Sequence, residues 1–486
     1  MYMGIDIGTS AVKAVVIDDS GAIVDQASAP LSVSRLQPLW SEQNPADWWS
    51  ATNIAVSGLA LTLRKSVRAA GLSGQMHGAT LLDRNRQVLR PAILWNDGRS
   101  ARQCRELEQN VAAMAQITGN RAMPGFTAPK LLWVRQHEPE IFARIATVLL
   151  PKDYVRLAMT GETASDMSDS AGTLWLDVAQ RRWSEAMLAA TGLTLAHMPT
   201  LFEGNEITGS LRAELAEAWG MARVPVVGGG GDNAAGAIGV GVVRPGDAFL
   251  SLGTSGVLFL ANDGYRPNPE GGVHTFCHAV PKHWHQMSVI LSASACVDWA
   301  ARLCGLADAG ALFELAEARN RPADAEIFLP YLSGERTPHN DPHAQGVLFG
   351  LTQGSGAAAI AQAVLEGVAF AFRDGMDALL ASGAAIESIS VIGGGARSAY
   401  WGRILSSVLR RPLMYRDAGT VGPAYGAARL ARMGAERATI EEVCTPPPIL
   451  HVAEPDDRLS DLYSGRVGRF RGLYRHLKDL FVETHN

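Results

Sequence analysis

Two stretches about half a chain apart place the same residue types in the same order. Gly4-Ile5-Asp6-Ile7-Gly8-Thr9-Ser10-Ala11-Val12-Lys13 and Phe249-Leu250-Ser251-Leu252-Gly253-Thr254-Ser255-Gly256-Val257 each read as an apolar strand, a Gly-Thr-Ser turn and a second apolar strand. A turn that exposes backbone N–H groups and hydroxyls at its tip is a natural phosphate cradle. Thr9, Ser10, Gly253 and Thr254 are therefore candidate phosphate contacts. Two cradles in two halves predict two similar lobes that grip one polyphosphate from opposite sides. Neither stretch is a Walker loop, since G-x-x-x-x-G-K-[ST] is absent from the chain, and no strand-linked G-x-G-x-x-G with a downstream acid points to a dinucleotide fold.

The carboxylates near these turns suggest the rest of the chemistry. Asp6 interrupts Ile5 and Ile7 just before the first cradle, and a carboxylate beside a triphosphate commonly holds Mg²⁺ through water. Lys13 either neutralises phosphate charge or sits on the surface. Asp232 follows Val226-Val227-Gly228-Gly229-Gly230-Gly231 and opens a predicted helix. As a bland residue it is an N-cap. As a functional one it is a base at the carboxyl end of a strand, placed to take a proton from an alcohol and aim its oxygen at a γ-phosphate. Met76-His77, framed by Gly74 and Gly78, is either structural or an exposed substrate contact. Gly393-Gly394-Gly395-Ala396-Arg397-Ser398 is a strand-to-helix turn whose Gly394, Gly395 and Ser398 could lie against an adenine or ribose. His274, Cys277, His278, His283 and His285 cluster, but their spacing fits no zinc pattern and reads as strand.

The elements that must position these groups alternate between strands and helices. Met3–Ile17 reads as a hairpin, followed by a turn at Asp18–Gly21 and another strand. Asn44, Pro45 and Asp47 mark a helix start; Trp40, Trp48 and Trp49 read as packing aromatics. Val67–Leu72 and Val224–Val227 are strand candidates, and each runs into a glycine-framed loop. Ile360, Val364, Val368, Phe372 and Met376 recur every four residues and predict a long helix over Ile360–Leu380. Ile389–Ile392 is a strand, with a helix after Ser398. The fold class is α/β, with a lobe boundary at Arg244-Pro245-Gly246-Asp247 that divides the chain into 1–243 and 244–486.

At 486 residues, each half is long enough to bury its own core. A net charge of −5 gives no footprint for nucleic acid or an anionic membrane surface. Five scattered cysteines without C-x-x-C fit a reducing compartment, and the N-terminus carries no basic or apolar signal region, so a cytoplasmic location is expected. Val224–Val243 is too broken by Pro225, four glycines and Asp232 to span a bilayer.

With these residues assembled, the chain resembles the FGGY carbohydrate kinases of the actin-like ATPase superfamily over almost its full length. Gly4–Ser10 carries the superfamily signal. Gly125-Phe126-Thr127-Ala128-Pro129-Lys130-Leu131-Leu132-Trp133-Val134-Arg135-Gln136-His137 fits the first family signature, and Gly346–Leu351 continuing to Ala363–Glu366 resembles the second, departing from it near Ala359-Ile360. Trp40–Gln43, Gly74–Ala79, Leu94–Arg99, Asp166–Asp169 and Leu332–Asn340 resemble the ketopentose kinases within the family.

The resemblance implies two duplicated actin-like (ribonuclease H-like) lobes with a nucleotide cleft between them. It implies ATP and Mg²⁺ as cofactors and D-xylulose as the sugar phosphorylated at its 5-hydroxyl. It places Met76-His77 in the substrate slot, Asp232 as base with Asn233 as its substrate-binding neighbour, Asp6 near the metal, and Thr254, Gly394 and Gly395 at the nucleotide. Gly125 stands where glycerol kinases carry a tyrosine, which implies a roomier pocket. Alternatives are a ribulose, gluconate or glycerol kinase, or an actin-like ATPase without a sugar substrate. No partner is expected beyond the sugar, unless a second copy of the chain forms a homodimer.

Overall fold

The computed structural model describes residues 1–417 and 422–481. Each half is built on a seven-stranded sheet, and six strands of one match six of the other in order and direction. In the first, Tyr2–Ile7 runs antiparallel to Ala11–Ile17, which pairs antiparallel with Ile23–Pro30. On its other side Tyr2–Ile7 pairs parallel with Ala69–Gly74, followed by Pro225–Val227 parallel and Ile207–Ser210 antiparallel. In the second, Asp247–Leu252 takes the place of Tyr2–Ile7. It pairs antiparallel with Gly256–Asn262 and parallel with Ser388–Ile392; Trp284–Ile290, Leu413–Arg416 and Ile449–Ala453 complete the same order. The Gly-Thr-Ser turns therefore occupy equivalent hairpins, as their shared sequence predicts.

Local signals account for several elements. Asn44 caps the helix Pro45–Gly58 by accepting the N–H of Ala46. Trp48 is fully buried in the first core, Trp49 leans on Trp219 with ring centres 6.1 Å apart, and Trp40 meets Trp133 edge-on at 5.5 Å. The helix predicted over Ile360–Leu380 runs from Ala357 to Leu380, with Val364, Val368, Phe372 and Met376 buried in the second core.

One element of the second half returns to the first. Helix Pro423–Glu436 packs on the strands Tyr2–Ile7 and Ala69–Gly74 and on the helix Asp232–Val240. Glycines make this close approach feasible: a Cβ at Gly4 would lie 1.8 Å from the Ala424 carbonyl oxygen, and one at Gly426 would lie 1.7 Å from that of Ala235. No described helix is long and apolar enough to cross a membrane, and Val224–Val243 resolves into strand, loop and helix. Cys104, Cys277, Cys296, Cys304 and Cys444 are all unpaired.

Candidate active site

The first hairpin holds Asp6 near the turn, opposite Lys13 across the antiparallel pair and opposite Ser73 across the parallel one. Asp6 Oδ1 is buried and lacks a hydrogen-bond partner. Burial, reinforced by the charge of Asp232, raises the carboxyl to about 7, against the opposing pulls of the Ser73 hydroxyl and of Lys13. A buried carboxylate oxygen without a hydrogen-bond partner, next to the hairpin turn, fits a role in holding a hydrated cation. Among the described residues no group of three or more metal-ligating side chains forms a self-sufficient cage. A Mg²⁺ ion here would therefore draw on phosphate oxygens and water besides Asp6, as that ion usually does.

Asp232 stands at the first position of the helix Asp232–Val240, with Gly231 rather than Asp232 as N-cap, so the bland capping role does not explain the carboxylate. Gly230-Gly231 pairs with Ser73-Gly74, which brings the loop before Asp232 alongside the loop that carries Met76 and His77. Asp232 Oδ1 accepts the Asn233 backbone N–H at 2.7 Å and its side-chain amide at 3.0 Å. Burial raises the carboxyl to about 6 despite these bonds. It is thus ionised at neutral pH yet still basic enough to accept a proton.

The glycine loop is held from beneath by a wholly buried charge network. Arg156 donates to the Val227 carbonyl at 2.6 Å, to Thr208 Oγ1 at 2.7 Å and to the Gly228 carbonyl. Lys152 Nζ lies 2.6, 2.7 and 3.3 Å from Asp153, Asp166 and Asp169. Ser168 Oγ donates to Asp166 and accepts the Gly231 N–H at 3.1 Å. The sequence reading missed Lys152, Asp153 and Arg156. Their signal was two cations and an acid in the first turns of an otherwise apolar helix, Pro151–Thr160.

Met76 is buried against the base loop: a Cβ at Gly231 would lie 2.9 Å from Met76 Cγ. His77 adopts φ +70°, with its carbonyl held by Thr127 Oγ1 at 3.2 Å and Lys130 Nζ at 3.0 Å. Its ring meets Phe126 edge-on at 4.8 Å, and Nδ1 contacts the Gly172 carbonyl at 2.6 Å. Burial, with Lys130 adding to it, pushes its pKa down to about 3, so the imidazole is neutral. His77, Trp95, Met123, Gly125, Phe126 and Arg336 line a small cavity of about 40 Å³. Gly125 lines this cavity without a side chain, and a Cβ there would lie 2.4 Å from the Trp95 carbonyl oxygen.

The cradle residues differ in their engagements. Thr9 Oγ1 lies 3.1 Å from Gln75 Oε1 and accepts the Trp95 indole N–H at 3.0 Å, tying the first hairpin to the loops of Gln75 and Trp95. Ser10 is exposed, as is Thr254 on the second hairpin, while Lys13 and Gly253 are partly exposed. The Gly253 and Thr254 carbonyls accept the N–H groups of Ser294 and Ala293 at 2.9 and 2.8 Å, leaving the Thr254 side chain at the tip. Gly393, at φ +94°, packs on the Leu252 backbone beside this turn, and Gly394 faces open space. Ser398 Oγ caps the following helix at the Trp401 N–H, 3.2 Å away.

Sequence models of the FGGY family of carbohydrate kinases match both halves, the N-terminal domain over residues 1–239 and the C-terminal domain over 248–435. The chain belongs to this family. It is a carbohydrate kinase, a phosphotransferase that uses ATP. It is 55% identical over 484 residues to the xylulose kinase of Escherichia coli, covering 99% of this chain and 100% of that one. The xylulose kinase of Bacillus subtilis is 35% identical, over 98% of this chain and 97% of its own. Among solved structures, a kinase from Brucella ovis is 50% identical with a TM-score of 0.95 over 99% of each chain. The xylulose kinase of Rhodospirillum rubrum is 29% identical, with a TM-score of 0.93 over 99% of this chain and 100% of that one. The overall fold seen here is thus shared with these two solved structures along nearly the whole chain.

Proposed function

We propose that the protein transfers the γ-phosphoryl group of ATP to the 5-hydroxyl of D-xylulose, with Asp232 as general base. The observation that carries this reading is a carboxylate raised to about 6, fixed through one oxygen by Asn233, on a loop paired with the one bearing Met76 and His77. The remaining oxygen takes the hydroxyl proton as the alkoxide oxygen attacks phosphorus, and ADP leaves. The two Gly-Thr-Ser turns and Lys13 bind the phosphates. Gly394, Gly395 and Ser398 lie on the adenosine side. Asp6 holds Mg²⁺, usually through water, and the ion supplies neutralisation of phosphate charge.

The two halves, 1–243 and 244–486, act as lobes around the nucleotide, with Pro423–Glu436 carrying the second into the base of the first. D-xylulose rather than another sugar is supported by the name and the 55% identity of the Escherichia coli relative. Glycerol is disfavoured by the neutral His77 and by the absence of a side chain at residue 125. Five unpaired cysteines support a reducing, cytoplasmic setting. The test is ADP release across D-xylulose, L-ribulose, D-gluconate and glycerol. D-xylulose should give the highest kcat/KM, and a higher value for any other sugar would reassign the substrate.

A further inference from the structure

The segment Leu332–Asn340, which the phosphoryl-transfer account leaves unused, brings a cation into the pocket from the second half of the chain. It is fastened to the strand Trp284–Ile290 and its neighbours. Thr337 N–H donates to the Val289 carbonyl at 3.1 Å, Val289 N–H to Thr337 Oγ1 at 3.0 Å, and Leu291 N–H to Glu335 Oε1 at 3.0 Å. Thr337 Oγ1 also donates to the Gly272 carbonyl at 2.9 Å. Arg336 is thereby held with its guanidinium in the same cavity as His77.

The polarity of the two groups follows from their partners. Asn120 Oδ1 accepts the Thr275 N–H at 3.2 Å and lies 3.1 Å from His274 Nδ1, so that nitrogen carries the proton. His274 Nε2 is then the acceptor for Arg336, 3.2 Å away. This bond uses one of the guanidinium's several donors; the charge of the adjacent Glu335 favours the cation, but no carboxylate lies within 4 Å of it among the described residues. Arg336 can only donate. At His77, Nδ1 faces a carbonyl and must carry the proton, so the neutral ring's Nε2 can only accept.

We propose that Arg336 and His77 read an α-hydroxy ketone: Arg336 donates to the carbonyl oxygen and His77 Nε2 accepts from the adjacent hydroxyl. This rests on the reading of the cavity as the sugar site. A ketone oxygen only accepts, which matches a donor-only guanidinium. A hydroxyl in its place brings a proton that Arg336 cannot take, leaving a buried donor unpaired. Arg336 is thus the specificity group that favours a ketose over the polyol of the same chain length.

The test compares kcat/KM for D-xylulose and for its C2-reduced pentitols, xylitol and D-arabitol, in the parent, Arg336→Gln and Arg336→Lys. ATP affinity without sugar and the melting temperature establish that each variant is folded. Arg336→Gln should lower the ketose value by about 10–10²-fold, the loss expected for a charge-assisted hydrogen bond. The pentitol values should change by less, so the ketose-to-pentitol ratio collapses. Arg336→Lys, which keeps a donor, should hold part of the ratio and covers the case in which the glutamine variant does not fold. Equal loss for ketose and pentitol overturns the carbonyl assignment while leaving the sugar site in place. No change in sugar KM in either Arg336→Gln or His77→Ala overturns the sugar-site reading as well.

Discussion

Asn233 grips one oxygen of its neighbour Asp232 with both of its N–H groups, the backbone amide at 2.7 Å and the side-chain amide at 3.0 Å. The other carboxylate oxygen carries no protein hydrogen bond among the described residues. A base must be aimed as well as ionised; in the role proposed for Asp232 this pair would supply the aim and burial the basicity.

The pH profile should show that basicity. With Asp232 raised to about 6, kcat/KM should fall about tenfold per unit below that pH and level off above it, because only the ionised form accepts a proton. Initial rates at saturating Mg²⁺ between pH 4.5 and 8.5 check this. A flat acid limb would remove Asp232 as the titrating base.

Asp6 should trade stability for function. Its folded-state carboxyl is raised to about 7 from an ordinary value of 3.8, so its ionised form opposes folding. That penalty is absent below the unfolded value, grows as pH rises and is complete above about 7. Asp6→Asn should therefore raise the melting temperature of the metal-free protein at pH 8 and leave it unchanged near pH 3.5. The same variant should need more Mg²⁺ for activity, with sugar KM nearly unchanged. Parent-like Mg²⁺ dependence would sink the metal role.

His77→Ala should weaken sugar binding by about 1–3 kcal/mol, the cost of a lost hydrogen bond with its partner left unpaired. ATP affinity should hold, since Asp6 and the hairpins are untouched. Steady-state kinetics with D-xylulose and L-ribulose read this out. If ATP affinity falls along with both sugar constants, the histidine is structural.

The buried network predicts an asymmetry among its members. Burial raises Asp169 well above the ordinary range, and the neighbouring Asp153 and Asp166 add to that shift. Lys152 opposes that shift, and because burial works against the charged form, Asp169→Asn should cost less than loss of Arg156. Arg156→Met, which strips donors from the Val227 and Gly228 carbonyls, should cost about 3–5 kcal/mol, as breaking a buried charge pair does. Denaturant midpoints for the two variants check this, and a larger loss in Asp169→Asn than in Arg156→Met would contradict it.

What the sequence made legible was local. The Gly-Thr-Ser turns, the Asn44 cap, the four-residue rhythm from Ile360 to Met376 and the glycine run before Asp232 are each written within a few residues. What escaped it was set by distant pairing. Lys152 and Arg156 are ordinary cations until the fold brings Asp166, Asp169 and the Val227 and Gly228 carbonyls to them. Arg336 lies 259 positions from His77 in the chain, and nothing local to either announces that they share a cavity. The Trp95 carbonyl that a Cβ at Gly125 would meet likewise comes from a separate loop. Helix Pro423–Glu436 went unread, and nothing local to it shows that it belongs against the first sheet.

The central claim is that Asp232 removes the sugar's proton during phosphoryl transfer. Turnover of Asp232→Ala with saturating ATP, Mg²⁺ and D-xylulose tests it most directly. The account predicts a kcat loss of about 10²–10⁴-fold, the usual range for deleting a general base, with ATP affinity retained. Near-normal turnover in a folded, ATP-binding variant would contradict it.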